Sequence, residues 1–310
     1  MAIAVPKVLP KVSRKGSLAR REAIAFYLFI LPWILGFLAF TVIPILASGY
    51  LSFTEYDIAN PPVWVGFGNY QHLFGDPIFR KSIRVTLTYA VMALPLGLFF
   101  SIALALLLNL KLPALSLWRT LYYLPAVISG VAVALLWQLI FQPTFGLLNV
   151  FLYTTFHIIG PQWQFDEAWV IPMFVIISIW GVGGGMLVYL GGLQGIPSQL
   201  YEAAEIDGAG SWRRLFNITL PMLTPVILFN LILGIIGVLT YFTNAYVITS
   251  GGPDYASEFF LLLLYQNAFE FLHMGLASAM AWLFFLFALA LTIIVMRTSN
   301  RWVYYEGEVK

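Results

Sequence analysis

The chain is 310 residues long, 61% hydrophobic and only 10% charged, with a mean hydropathy of +0.87 and a formal net charge of +2. That composition cannot furnish an ordinary polar surface, which excludes a soluble domain and implies a polytopic membrane protein. The lack of cysteine excludes disulfides, thiolate metal sites and cysteine nucleophiles.

In chain order, residues 1–23 form a basic tail, with Lys7, Lys11, Arg14, Lys15, Arg20 and Arg21 against the single acid Glu22. The apolar run behind it is long enough to cross a bilayer, so it reads as an uncleaved first helix, although Leu46-Ala47-Ser48-Gly49 imitates a signal-peptide cleavage site. Polybasic segments beside a span obey the positive-inside rule and sit near anionic lipid, which makes a nucleic-acid role the weaker reading. Six spans are predicted at about Ile24 to Leu46, Thr86 to Leu108, Leu121 to Phe141, Ala168 to Leu190, Met222 to Ala245 and Ala279 to Met296. None contains Asp, Glu, Lys, Arg or His. With the amino terminus inside, the tails and the second and fourth connections hold thirteen Lys and Arg, and the outer connections hold three, Arg80, Lys81 and Arg84. The prediction is an all-α polytopic membrane protein of six transmembrane helices, over 24–297, with both termini cytoplasmic and a carboxyl tail at 298–310.

The outer connections carry turn chemistry. Residues 47–85 include Pro61-Pro62 and Gly66-Phe67-Gly68-Asn69-Tyr70, which suits interfacial helices and turns; residues 143–167 contain Pro143, Gly146, Gly160 and Pro161. Residues 246–278 hold Gly251-Gly252-Pro253 and then an apolar piece, Glu258 to Leu272, broken by Glu258, Gln266, Asn267 and Glu270. An interfacial or partly re-entrant helix is expected there, since a seventh span would strand the basic carboxyl tail outside.

The fourth connection is the one long polar passage between two spans in the second half. Ser198 is the expected N-cap of a helix over about Gln199 to Asp207, Gly208 ends it, and Ser211 is the expected cap of a second helix carrying Arg213 and Arg214, with Pro221 and Pro225 marking re-entry into the next span. Leu200, Ala203, Ala204 and Asp207 fall on one face, small enough for another backbone to approach.

Glu202-Ala203-Ala204, then Gly208, then Ile218-Thr219-Leu220-Pro221 resembles the EAA loop of bacterial ABC-importer permeases, with every position of the pattern filled. The resemblance implies the ABC-importer permease fold in the bacterial inner membrane, and a cytoplasmic loop at 198–221 whose short helix docks on a separate ATPase. It assigns ATPase coupling to Glu202, Ala203, Ala204, Asp207, Gly208, Ala209, Ile218, Leu220 and Pro221. Phe67-Gly68-Asn69-Tyr70, Tyr123-Leu124-Pro125, Gly146-Leu147-Leu148-Asn149, Gly251-Gly252-Pro253 and Gly275-Leu276-Ala277-Ser278-Ala279 look like the carbohydrate branch, and within it like the first of two unlike permeases of the maltose and glycerol-phosphate type. Implied partners are a second, unlike permease, two ATP-binding subunits that hold ATP and Mg, and an extracytoplasmic solute-binding protein. The short amino-terminal region lacks the extra helices and large outer domain of the longest members.

The chain has no G-x-x-x-x-G-K-[ST] loop, so ATP must be hydrolysed on another subunit, and no cofactor is expected on this one. Gly181, Gly183, Gly184 and Gly185 lie in a span with no preceding strand, where helix packing or a kink explains them better than dinucleotide binding. His72, His157 and His273 lack metal-ligand spacing, so no metal site is expected. Spans without ionisable groups exclude a proton relay and fit a neutral polar cargo, gripped by amides, hydroxyls and aromatic faces. At ~1.5 Å per residue, Asn230 lies about 12 Å into span five and Trp180 about 18 Å into span four, both near the middle of a ~30 Å core. Asn230 is a cargo contact or an interhelical hydrogen bond; Trp180 is a cargo contact or packing. Tyr241 and Asn244 cluster at the outer end of span five, where Tyr241 is a gate or an aromatic-belt residue. The competing classes are a secondary carrier or channel for a neutral polar solute, which should show inverted repeats, and a membrane-embedded enzyme, which would need an acid, base or thiol in the spans.

Overall fold

The computed structural model describes residues 15–110 and 113–304. Lys7, Lys11 and Arg14 of the predicted basic tail, Lys111, and the carboxyl tail from 305 onward lie outside the described residues.

The first unit is a continuous rod: α1 (Lys15–Phe37), a π-turn (Leu38–Val42) and α2 (Ile43–Leu51). A two-stranded hairpin follows, β1 (Thr54–Glu55) pairing antiparallel with β2 (Val63–Trp64), then α3 (Gly68–Gly75). Asp76 caps α4 (Pro77–Leu108) by accepting from the Ile78 amide at 2.9 Å, with Pro77 at the first position where its missing N–H costs nothing. At 32 residues α4 is ~48 Å long, so it extends past a ~30 Å hydrocarbon core and carries Arg80, Lys81 and Arg84 on its projecting end.

The third predicted span is not one rod. α5 (Leu115–Tyr123) passes into a 3-10 turn (Leu124–Val127), the chain extends at Ile128 and Ser129, and α6 (Gly130–Ile140) leaves at 98°. Pro125 sits in that turn and cannot carry an α-helical ladder onward. α7 (Leu147–Phe156) is a short apolar helix in the next connection. The fourth span is bent by 45° between α8 (Glu167–Trp180) and α9 (Gly183–Gln194).

α10 (Ser198–Ile206) matches the predicted loop helix within a residue at each end. The second loop helix does not stand apart. α11 (Ser211–Arg214), a π-turn (Leu215–Thr219) and α12 (Leu220–Leu239) are continuous, and α13 (Thr243–Ile248) follows a short break. Pro221 is therefore inside a helix. It lacks an N–H and its ring would strike the carbonyl of Asn217, and the π-turn lets the ladder slip there. Pro44 stands two residues past the first π-turn in the same way.

α14 (Phe260–Tyr265) and a π-turn (Gln266–Glu270) are too short to span and are packed inside the protein, with Phe260, Leu262, Leu263, Asn267 and Ala268 buried. An interfacial or partly re-entrant helix is expected here; the segment packs against α4 and against α15 (Met274–Ser299).

α4 is the central post, packing on α8, α9, α12 and α14. One core gathers Val85, Tyr89, Phe174, Phe259 and Leu262; a second gathers Ala105, Leu108, Met186, Tyr189 and Leu223. Among the described residues, the four long apolar helices have at most 22% of their apolar stretch buried, so most of their hydrophobic surface faces outward.

Several sequence motifs prove to be staples. Asn69 donates to the carbonyls of Ser52 and Thr54 at 2.9 Å each, Tyr70 donates to Ser52 Oγ at 2.9 Å, and Gly275 lets the Thr54 carbonyl lie where a Cβ would be. Asn149 donates to the carbonyls of Pro143 and Pro161 and accepts from Trp163 Nε1 at 2.7 Å, closing the 143–163 connection. These bonds satisfy loop backbone where no ladder is available.

Candidate functional site

No residue of α10 is buried. Its apolar Leu200 and Ile206 are exposed, Ile206 to 87%, as is Trp212 just beyond it. The expected side-chain caps are not used: Pro197 and Gly210 occupy the N-cap positions of α10 and α11, and Ser198 and Ser211 are the first helical residues. The other end of α10 is closed tightly. Asp207 is the C-cap, the Gly208 amide donates to the Glu205 carbonyl at 3.0 Å, and the Ala209 amide donates to the Ala204 carbonyl at 2.8 Å. This pair of bonds is a Schellman motif, with Gly208 at φ +73° in the left-handed position. The spacing from Ala204 to Gly208 and Ala209 is thus the geometry of the cap. Glu202 and Ala203 are exposed; Ile218, Leu220 and Pro221 are half-buried where the π-turn meets α12.

The candidate pathway residues form two groups. Trp180 ends α8 at the bend, 38% exposed, edge-on to Trp137 of α6 at 5.8 Å. Asn230 donates to the Val226 carbonyl one turn back on its own helix at 3.0 Å, and its Oδ1 looks toward Gly185, five residues past Trp180. Asn230 makes no hydrogen bond to another helix among the described residues. Tyr241 is separate, enclosed by Tyr89, Phe174 and Phe259, and accepts from Asn244 Nδ2 at 2.9 Å. Asn244 Oδ1 is buried without a partner among the described residues. Sequence reading missed Trp137, whose buried Nε1 also lacks a partner; a lone tryptophan in an apolar span gives no signal by itself.

The glycine run is a packing surface. An added Cβ on Gly183 would overlap the Tyr122 carbonyl, and one on Gly185 would come within 2.9 Å of Ser101 Oγ. His72 and His273, distant in sequence, line one cavity with Glu55 and Asp57. Among the described residues no group of three His, Asp or Glu is arranged to hold a metal ion.

Glu258 is the one buried acid among the described residues, 1% exposed, outside the spans. Its Oε2 fills the room left by Gly251, and its Oε1 has no partner. Removal from water, with Glu270 adding like charge, pushes its carboxyl up to about 7. Folded and unfolded chains both carry the proton below about pH 4.5, so the associated stability is fully present there and is lost as pH rises through about 7. A shift of that size corresponds to on the order of 3 kcal/mol. Glu258→Gln is expected to raise the thermal midpoint of the detergent-purified protein at pH 8 and leave it unchanged at pH 5; equal midpoints at pH 8 would refute the assignment.

An exposed, firmly capped helix held between membrane-crossing helices fits a membrane permease that docks another subunit. The chain belongs to the family described as binding-protein-dependent transport system inner membrane component, whose pattern matches residues 97–304. It is similar to the Bacillus subtilis (strain 168) probable ABC transporter permease protein YesP, 41% identical over 299 residues that cover 95% of this chain and 96% of the relative. It is similar also to the trehalose/maltose transport system permease protein MalF of Thermococcus litoralis, 32% identical over 288 residues that cover 92% and 97%. Among solved structures, a chain of a bacterial ABC transporter involved in import of the acidic polysaccharide alginate superposes with a TM-score of 0.82 at 26% identity, covering 92% of this chain and 98% of that one.

Proposed function

We propose that the chain is one of two membrane-spanning subunits of an inner-membrane importer for a sugar or sugar-like solute, driven by ATP and Mg on two separate ATP-binding subunits and fed by an extracytoplasmic solute-binding protein. The observation that carries this reading is α10, a fully unburied helix with exposed Leu200 and Ile206, fixed at its end by the Gly208 cap. A surface of that kind is a docking face. The names of the relatives, which include permeases for trehalose/maltose and for starch degradation products, support the sugar class. Reconstitution with a separate ATPase, a second permease and a solute-binding protein tests it: hydrolysis stimulated by loaded binding protein is expected, and hydrolysis that loaded binding protein leaves unchanged would overturn this assembly.

The charge asymmetry supports a cytoplasmic α10. Because the chain has no cysteine, Ser211→Cys and Asn60→Cys, both at exposed positions, can be probed with an impermeant thiol reagent on intact cells. Ser257 would not report, being fully buried. Labelling of Asn60→Cys alone is expected; labelling of Ser211→Cys alone would overturn the orientation.

The pathway runs at the interface with the second permease, lined by Trp180 and Asn230; Tyr241, enclosed by Tyr89, Phe174 and Phe259 and bonded to Asn244, is packed in the core rather than lining it. Asn230 spends its amide N–H on its own helix and keeps Oδ1 free for cargo. Asn230→Leu keeps approximate volume and deletes that acceptor, a loss of ~1–3 kcal/mol for a buried polar contact. Uptake should weaken about tenfold while assembly persists, on the scale of ~1.4 kcal/mol per decade. A lower thermal midpoint with unchanged transport per complex would remove Asn230 from the pathway.

A further inference from the structure

We propose that the π-turn at Leu215–Thr219 joins the docking helix α10 to α12 as a single lever, with Glu205–Arg214 and Tyr201–Thr219 as its positioning contacts. The inference rests on the reading of α10 as the ATPase-docking helix.

Tyr201 and Glu205 stand one α-turn apart, on one face of α10. Glu205 forms an ion pair with Arg214, and Tyr201 Oη lies 2.9 Å from Thr219 Oγ1. Arg214 and Thr219 are five residues apart, and in an unbroken α-helix they would point about 140° away from each other. A π-turn closes i to i+5 and brings such residues to one side. Here the Leu220 amide donates to the Leu215 carbonyl, the i to i+5 bond, and Thr219 Oγ1 lies 3.4 Å from the Arg214 carbonyl. The same slip that accommodates Pro221 therefore aligns the two residues that grip α10.

The bracing is one-sided. Among the described residues every side-chain hydrogen bond made by α10 goes to the 214–219 segment and none goes to α9, to which α10 is joined by Gly195, Ile196 and Pro197. Through these two contacts a push on α10 is passed to α12, the helix that carries Asn230. Glu205 is 64% exposed and Arg214 25% exposed, so the ion pair adds little to fold stability and its loss should leave the protein intact. Thr219, by contrast, is buried at 6% exposure and fixes the hydroxyl that Tyr201 meets.

The test reads the far end of α12. In the complete importer, assembled with the second permease and its ATPase subunits, Thr240→Cys is labelled with a maleimide before and after trapping with ATP and vanadate. Trapping is expected to change the labelling rate by about threefold or more in the otherwise unaltered chain. Arg214→Glu, Glu205→Arg and Tyr201→Phe should each shrink that change to less than about half while the ATPase subunits stay bound, and the charge-swapped pair Glu205→Arg with Arg214→Glu should recover it. A full change in the single variants, a swapped pair no better than either single, or loss of the ATPase subunits from the single variants would overturn the lever while leaving the docking reading in place. An unaltered chain that fails to retain the ATPase subunits would overturn both.

Discussion

Gly208→Val is expected to give a stable, membrane-inserted protein that no longer supports uptake. Gly208 sits at φ +73°, and nothing lies within 4 Å of a Cβ built on it, so the penalty is purely conformational. A β-branched residue in the left-handed region costs ~1–3 kcal/mol. The local answer is to abandon the Schellman bonds from Gly208 to Glu205 and from Ala209 to Ala204, which frees the end of α10 and turns it away from its partner. No residue of α10 is buried, so the thermal midpoint of the purified chain should hardly move. Gly208→Asn, which tolerates the left-handed conformation, should retain much of the activity. Wild-type uptake by Gly208→Val, measured with equal amounts of protein in the membrane, would refute the role of the cap.

Gly183→Val is expected to abolish the folded protein. Its added Cβ would overlap the carbonyl oxygen of Tyr122 and lie 3.0 Å from the Tyr123 Cα, backbone atoms that no rotamer change can move aside. Overpacking of this kind costs ~1–3 kcal/mol when side chains can yield, and more when the obstacle is backbone. The neighbour in the same run is the control: at Gly184 the nearest atom to an added Cβ is that of Ala126 at 3.8 Å, ordinary contact. Gly184→Ala should fold normally, gaining up to ~1 kcal/mol in helix propensity. Equal yield and equal thermal midpoint for Gly183→Val and Gly184→Ala would show that α9 does not pack on the Tyr122 turn as described.

The sequence by itself determined the class of protein, the set of apolar units and the position of the loop helix, because each depends on local chain properties. Apolar run length marks crossings whatever the neighbours do, and a left-handed glycine ends a helix by its own backbone preference, as at Gly208. The distribution of charge likewise predicts an orientation. The tertiary structure decided the rest. Local reading placed caps at Ser198 and Ser211 because serine is a common N-cap, whereas the chain enters both helices one residue earlier, at Pro197 and Gly210. It drew span three as one rod through Pro125, set Trp180 without Trp137, and had no reason to pair Arg214 with Glu205 or Thr219 with Tyr201. Where a proline breaks a ladder, several escapes are open: a 3-10 turn with a 98° bend after Pro125, or a π-turn that keeps α11 and α12 in line at Pro221. What packs beside each break lies outside the bending residues: Gly183 against the Tyr122 carbonyl in one case, and Tyr201 and Glu205 beside the π-turn in the other. Those contacts have no signature within the residues that bend.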